Sequence, residues 1–180
     1  MHNLGVIDRA CRTGESGTVC QWLPHFHDMG LIGGLLYPLY AGALGVNLSP
    51  ATFLKRPHVW LRAMSEWGAT GTVAPNFAFE MCARRVRSEQ MEGVDLSRLS
   101  TILNGSEPVR AETLTAFNHM FAAYGLRETP LAPCYGLAES TLMVRTGCDA
   151  RLSTGLPRAV AWATAGCSST GWRSRPRVAG

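Results

Sequence analysis

From Thr18 to about Leu142 the chain alternates between short apolar runs and longer stretches in which apolar residues recur every three or four positions. The short runs Thr18–Leu23, Thr70–Val73, Leu99–Leu103 and Leu131–Cys134 read as strands, and the recurrences as helices packed on one face. Pro57–Trp67 is one such helix, with Trp60, Leu61, Met64 and Trp67 on a common side. Phe77–Arg87 is a second, introduced by Pro75-Asn76, where Asn76 can cap the free amides. Arg110–Phe121 is a third, with Leu114, Phe117 and Phe121 on one stripe. Strands and helices in alternation, joined by short links, predict an α/β fold: a parallel sheet with flanking helices. Ligands of such sheets bind at the carboxyl ends of the strands. No internal repeat is visible.

Met29–Val46 is uncharged, which raises the question of a membrane span. A spanning helix needs about 20 predominantly apolar residues. Here Gly30, Gly33, Gly34, Gly42, Gly45 and Pro38 interrupt the run, and Ser49-Pro50 closes it with a turn and helix-start signal. The pattern predicts a buried glycine-rich helix, Met29–Ala41, followed by a buried strand, Leu44–Leu48, and no membrane span.

Composition narrows the class. The 180 residues are 46% hydrophobic and 17% charged, which suits a globular domain and disfavours wholesale disorder. The net charge of +4 comes from five arginines in 151–180, a segment without acids, and the remaining 12 basic and 13 acidic residues leave 1–150 at −1. No basic face for nucleic acid is implied. Six cysteines make no CxxC pair; with no secretory signal, they read as thiols of a reducing, cytoplasmic setting. Beyond about Cys148 the chain turns to Ala, Gly, Ser, Thr and Arg without a period. Residues 149–180 are expected to be a low-order tail, or sequence translated out of its proper frame.

Three segments could carry chemistry. In Trp22–Gly30 (WLPHFHDMG), His25 and His27 share a face if extended, and with Asp28 suggest a metal site. The HxHxDH hydrolase pattern fails at Met29 and Gly30, and two histidines bonded to backbone are the plainer alternative. In Asn104–Pro108 (NGSEP), a glycine straight after a strand admits a close ligand. Ser106 is no nucleophile elbow, because G-x-S-x-G requires glycine where Pro108 stands. In Tyr135–Thr141 (YGLAEST), an aromatic ring at a strand end can stack on a base. Glu139 suits Mg²⁺, and Ser140 and Thr141 offer hydroxyls to phosphate.

Together with Ala74–Cys82 (APNFAFEMC), the segments Trp22–Gly34, Asn104–Val109 and Tyr135–Leu142 resemble, in order, the adenylate-forming superfamily of acyl and aryl ligases. The wording is closest to the fatty-acyl-AMP ligases and long-chain acyl-CoA synthetases, and covers about residues 18–145. The resemblance implies that 1–148 is part of the large N-terminal domain of an adenylate-forming enzyme. His27 would orient the substrate carboxylate for attack on the α-phosphorus, with Asp28 fixing its loop. Gly105, Ser106, Glu107 and Pro108 would line the adenine pocket, Tyr135 would stack on the base beside Gly136, and Glu139 would hold Mg²⁺. Ser140 and Thr141 would face the nucleotide. Ala138 stands where many superfamily members have a phosphate-binding threonine, as is common in the acyl-AMP branch. Leu31–Tyr37 and the helix after Pro75 would border an acyl tunnel, a reading that ordinary core packing equally satisfies.

The implied reaction joins a long-chain fatty acid to ATP, gives acyl-adenylate and pyrophosphate, and passes the acyl group to a carrier-protein thiol or to coenzyme A. Thr13–Gly17 (TGESG) lacks the Pro-Lys-Gly that should follow a phosphate loop, no Tyr-x-x-Gly-Asp stretch is present, and Lys55 is the single lysine. The 180 residues alone are therefore expected to show no adenylation. The alternatives are a non-enzymatic remnant of a truncated ligase and, further off, a metal-dependent hydrolase built on His25, His27 and Asp28.

Overall fold

A computed structural model describes residues 1–127 and 131–146; the expected tail at 149–180 lies outside the described residues. Helix α1 (His2–Cys11) leads into strand β1 (Thr18–Gln21). A π-helix over Met29–Leu36 runs on into α2 (Tyr37–Ala41), and β2 (Leu44–Asn47) follows. Then come α3 (Pro50–Lys55), α4 (His58–Glu66), β3 (Gly71–Ala74) and α5 (Asn76–Arg85). The series closes with β4 (Thr101–Asn104), α6 (Ala111–Phe121), β5 (Leu131–Gly136) and β6 (Met143–Thr146).

The strands form one sheet in the order β2-β1-β3-β4-β5-β6. β2 to β5 are parallel, as the alternation predicts, whereas β6 returns antiparallel beside β5. Chain order and sheet order agree from β1 through β3 and β4 to β5, so the loops that leave these four neighbours share one edge of the sheet. Those loops carry the sequence motifs.

An aromatic seam ties the helices to the sheet. Trp22 stacks on Phe53 with centroids 4.0 Å apart, and Trp60 meets both rings edge-on. From Trp60 the contacts continue through Phe79 to Phe117 and Phe121, each ring within 5.8 Å of the last. Such pairs add about 0.5–1.5 kcal/mol each beyond their buried area. The stripe Leu114, Phe117 and Phe121 on α6 is buried as its spacing predicts. The thiols of Cys20 and Cys82 are buried too; burial pushes the Cys20 thiol up to about 12 and raises that of Cys82 as well.

Four expectations are corrected. Met29–Ala41 is helical, but only Met29, Gly30, Gly34, Tyr37 and Pro38 are buried, while Leu31, Leu35, Leu36, Leu39 and Tyr40 are exposed. A helix apolar on every side carries no sign of which side will be covered. β2 is the outer strand of the sheet and Leu44 is 47% exposed, so it is no buried strand; an apolar run does not tell a central strand from an edge. Trp67 lies just past the end of α4 and is 51% exposed, apart from the buried Trp60, Leu61 and Met64. The fourth concerns Asn76, whose side chain caps nothing and instead joins the buried network described next.

Among the described residues no helix is long and apolar enough to cross a membrane.

Candidate functional site

The loop after β1 is anchored from beneath. Gln21, fully buried, donates from Nε2 to Asn47 Oδ1 of β2 and accepts the Leu23 amide at 2.6 Å. The chain then turns through His25–Asp28 into the π-helix, where the Asp28 carboxylate accepts the Met29 amide at 2.7 Å and caps the helix start. Gly30 is required there: a Cβ would sit 2.2 Å from the Pro24 carbonyl oxygen. His27 Nδ1 lies 2.8 Å from Asp28 Oδ1. His27 Nδ1 also accepts the Met29 amide at 3.2 Å, so Nδ1 is occupied on the loop side and Nε2 is the ring atom open to a ligand. The imidazole is about half exposed.

The loop after β4 is held by asparagine. Asn76 Oδ1 accepts from Asn104 Nδ2 at 3.2 Å and from the Arg110 amide at 3.1 Å, and Asn76 Nδ2 donates to Thr113 Oγ1 at 3.2 Å. All three side chains are buried, and their mutual bonds satisfy groups that would be costly to strand without partners, except Asn104 Oδ1, which is buried and unpartnered. Capping of α5 falls to Glu107, whose Oε1 accepts the Phe77 amide at 2.5 Å. Gly105 is pressed against β5, with the place of its missing Cβ 2.6 Å from Cys134 Sγ. Ser106 takes a left-handed backbone (φ 69°), which is strained for a residue with a side chain, and its Oγ contacts Met29 Sδ at 3.3 Å.

The third loop is the turn of the β5–β6 hairpin. Leu137 N–H donates to the Leu142 carbonyl at 2.9 Å, and a short 3₁₀ turn, Ala138–Ser140, fills the tip. Thr141 also has positive φ, at 75°. Tyr135 stands at the end of β5, 37% exposed.

These loops enclose a cavity of about 210 Å³. Its polar positions are His27, Asp28, Ser106 and Tyr135; Met29, Val73, Leu103, Leu142 and Met143 give apolar walls, and Gly33 and Gly136 leave room. Of the residues singled out in the sequence, the cavity brings together His27, Asp28, Ser106, Tyr135, Gly136 and Ala138. Gly105, Glu107 and Pro108 lie in the same loop as Ser106 but are not part of its lining; Glu107 is engaged with α5. Glu139, Ser140 and Thr141 are exposed on the hairpin turn next to Ala138, which does line it. Sequence reasoning missed Ile7 of α1, and also Cys134, Leu142 and Met143. The last three stand at the ends of the Tyr135–Leu142 motif and were open to notice; Ile7 had a signal too, since Leu4, Ile7 and Cys11 recur at helical spacing. Among the described residues no three His, Cys, Asp or Glu side chains gather as a metal site, so His25 does not complete one with His27 and Asp28.

A parallel sheet whose strand ends surround a part-apolar cavity, with a histidine and a tyrosine among its polar positions, defines an α/β domain with a candidate ligand site at its strand ends. Residues 1–170 match the family described as AMP-binding enzyme, and the chain belongs to that family. Over 146 residues it is 43% identical to a medium-chain-fatty-acid–[acyl-carrier-protein] ligase, JamA, of Moorena producens, covering 81% of this chain and 25% of that protein. It is 45% identical over 129 residues to the long-chain-fatty-acid–AMP ligase FadD26 of Mycobacterium bovis, covering 72% of this chain and 22% of the relative. The crystal structure of a fatty acyl-adenylate ligase from L. pneumophila, in complex with acyl adenylate and pyrophosphate, superposes with a TM-score of 0.79 at 43% identity, covering 81% of this chain and 26% of that one. The chain thus spans about a quarter of the length of the curated relatives it matches.

Proposed function

We propose that this chain forms the adenylate-holding wall of a ligase that activates a fatty acid with ATP, giving acyl-adenylate and pyrophosphate, and then delivers the acyl group to a carrier-protein thiol or to coenzyme A. The observation that carries the reading is the convergence of His27, Ser106 and Tyr135 on one cavity with apolar walls. That combination suits a ligand with a flat base at one end, an acidic group between, and a hydrocarbon chain at the other. The Tyr135 ring offers the face on which adenine stacks. His27, whose Nδ1 accepts the Met29 amide beside Asp28, offers Nε2–H to the acid carboxylate and keeps it in line with the phosphorus it must attack. Apolar Met29, Val73, Leu103, Leu142 and Met143 receive the start of the acyl chain and exclude water from the mixed anhydride.

Gly105, Glu107 and Pro108 serve the same site by shaping the loop on which Ser106 sits, and Ser140 and Thr141 present hydroxyls from the hairpin turn. Glu139 is the carboxylate that would hold Mg²⁺. It is exposed beside the cavity, and one carboxylate suffices for an ion that takes its remaining ligands from water and phosphate. When bound, Mg²⁺ would neutralise charge on the ATP phosphates. A cytoplasmic setting, where ATP and thiol acceptors are found, fits this chemistry.

The test is titration of the purified 180-residue chain with a stable acyl-adenylate analogue, an acyl sulfamoyl adenosine, followed by calorimetry. Saturable binding that His27→Ala and Tyr135→Ala each weaken supports the reading. No binding at millimolar analogue, in a chain shown to be folded, overturns it. ATP–pyrophosphate exchange dependent on fatty acid is expected to be absent from these 180 residues by themselves, since Lys55 is their single lysine.

A further inference from the structure

Helix α1 contributes to the cavity in two ways that the motifs do not account for. Ile7, buried, forms part of its lining. One turn earlier, Asn3 reaches the β5–β6 hairpin, about 140 residues away in sequence. The Asn3 amide behaves there like an extra strand residue. Its Oδ1 accepts the Met143 amide at 3.1 Å and its Nδ2 donates to the Met143 carbonyl at 2.8 Å. The same Nδ2 reaches the Ser140 carbonyl at 3.2 Å. Three bonds from one side chain thus tie the tip of the hairpin turn and the first residue of β6 to α1.

Among the described residues, the turn's other hydrogen bonds run within the turn itself, from the amides of Leu137, Ser140 and Thr141, and do not fix it to α1. Ala138–Thr141 are exposed, Thr141 has positive φ, and the pairing between β5 and β6 is irregular at Tyr135 and Gly136. Tyr135, Gly136, Leu137, Ala138, Leu142 and Met143, all from the hairpin, make one side of the cavity. A side chain that satisfies both main-chain groups of Met143 fixes where this side stands relative to α1 and to Ile7.

We infer that Asn3 is a positioning residue for the nucleotide side of the site: its amide locks the β5–β6 hairpin at the distance from α1 at which Tyr135 meets the adenylate. This rests on the functional reading above for the identity of the ligand, and on hydrogen-bond geometry alone for the lock. The complementarity is specific to a carboxamide. A carboxylate in its place would still accept from Met143 but would face two carbonyl oxygens without a proton to offer, and alanine would leave three hydrogen-bonding groups to water.

The experiment compares the wild-type chain with Asn3→Ala, Asn3→Asp and Asn3→Gln by amide hydrogen exchange and by titration with an acyl sulfamoyl adenosine. The lock predicts faster exchange at the Met143 and Leu137 amides in Asn3→Ala and Asn3→Asp, with the amides of α5 and α6 unchanged. It also predicts about tenfold weaker analogue binding, the equivalent of one or two lost neutral hydrogen bonds. Asn3→Gln should recover part of both. Uniformly faster exchange across the protein, or unchanged exchange at Met143, overturns the lock. Loosened exchange with unaltered affinity overturns the positioning role while leaving the functional reading intact. A wild-type chain that fails to bind the analogue overturns the functional reading and the positioning role together, and the exchange pattern then shows whether the hairpin lock survives.

Discussion

Glu107 Oε1 accepts the backbone amide of Phe77 at 2.5 Å, so the carboxylate after β4 caps the helix after β3. The motif that contains Glu107 places it among nucleotide-facing residues, yet its side chain is spent on joining two loops. A carboxylate at a helix start satisfies an amide that has no partner within the helix and lies at the positive end of the helix dipole. Glu107→Ala is expected to cost about 1 kcal/mol of stability, the usual magnitude of a lost cap, and Glu107→Gln less, since the amide oxygen can still accept. Urea denaturation of the two variants checks this. Equal stability of Glu107→Ala and wild type would show that the cap is idle.

Gly105 and Cys134 give a second test of the same loop. A Cβ on Gly105 would lie 2.6 Å from Cys134 Sγ and 2.7 Å from the Cys134 carbonyl oxygen. Gly105→Ala should therefore destabilise the protein by roughly 1–3 kcal/mol, as overpacking does. Removing the sulfur helps only in part, because the carbonyl stays. In a double-mutant cycle, Cys134→Ala should be less harmful, or even favourable, when Gly105→Ala is already present. Strict additivity of the two changes would mean that the strands separate rather than clash.

Much of this arrangement was legible beforehand, for local reasons. The spacing of Leu114, Phe117 and Phe121 announced the buried face of α6, and short apolar runs marked four strands of the parallel sheet. His27, Ser106 and Tyr135 were named from motifs and meet at one cavity because each motif follows the carboxyl end of a neighbouring strand. What stayed hidden depends on partners distant in sequence. Asn76 looked like a cap because it precedes a helical pattern, but its carbonyl is drawn to Asn104 and Arg110. The Asn3 contacts with Met143 leave no mark in either segment. The π-helix has the composition of any apolar helix, and its exposed Leu31 and Leu35 could not be told from its buried Met29.

His58 supplies a pH dependence away from the cavity. Partial burial, with Arg56 and Arg62 nearby, lowers its pKa from the ordinary 6.5. A histidine with a depressed pKa in the folded state binds its proton more readily when unfolded, so acid favours unfolding. The penalty is absent well above 6.5, grows as the pH falls through that value, and is complete below the folded-state pKa. His58→Gln should thus flatten the part of the stability profile between about pH 7 and pH 5. Thermal melts across that window, in which the variant keeps the full wild-type slope, would assign the slope to other groups.

Tyr135 is the position at which the functional reading is most exposed to disproof. Its ring stands at the end of β5, 37% exposed, and lines the cavity beside Gly136 and Leu137. If adenine stacks on it, Tyr135→Ala removes a ring–base contact worth roughly 1–3 kcal/mol, a loss of about fivefold to more than a hundredfold in affinity. Tyr135→Phe keeps the π-face and should bind almost as the wild type does. The fatty acid, held against the apolar walls, should be affected far less by either change. Titrating each variant with ATP, with the acyl sulfamoyl adenosine and with the fatty acid alone separates these effects, and near-UV circular dichroism shows whether Tyr135→Ala remains packed. Equal weakening for all three ligands would point to a collapsed hairpin rather than a lost stacking partner. An unchanged ATP affinity in a well-packed Tyr135→Ala variant would remove Tyr135 from the nucleotide site and put the roles of the remaining polar positions, His27, Asp28 and Ser106, in direct question.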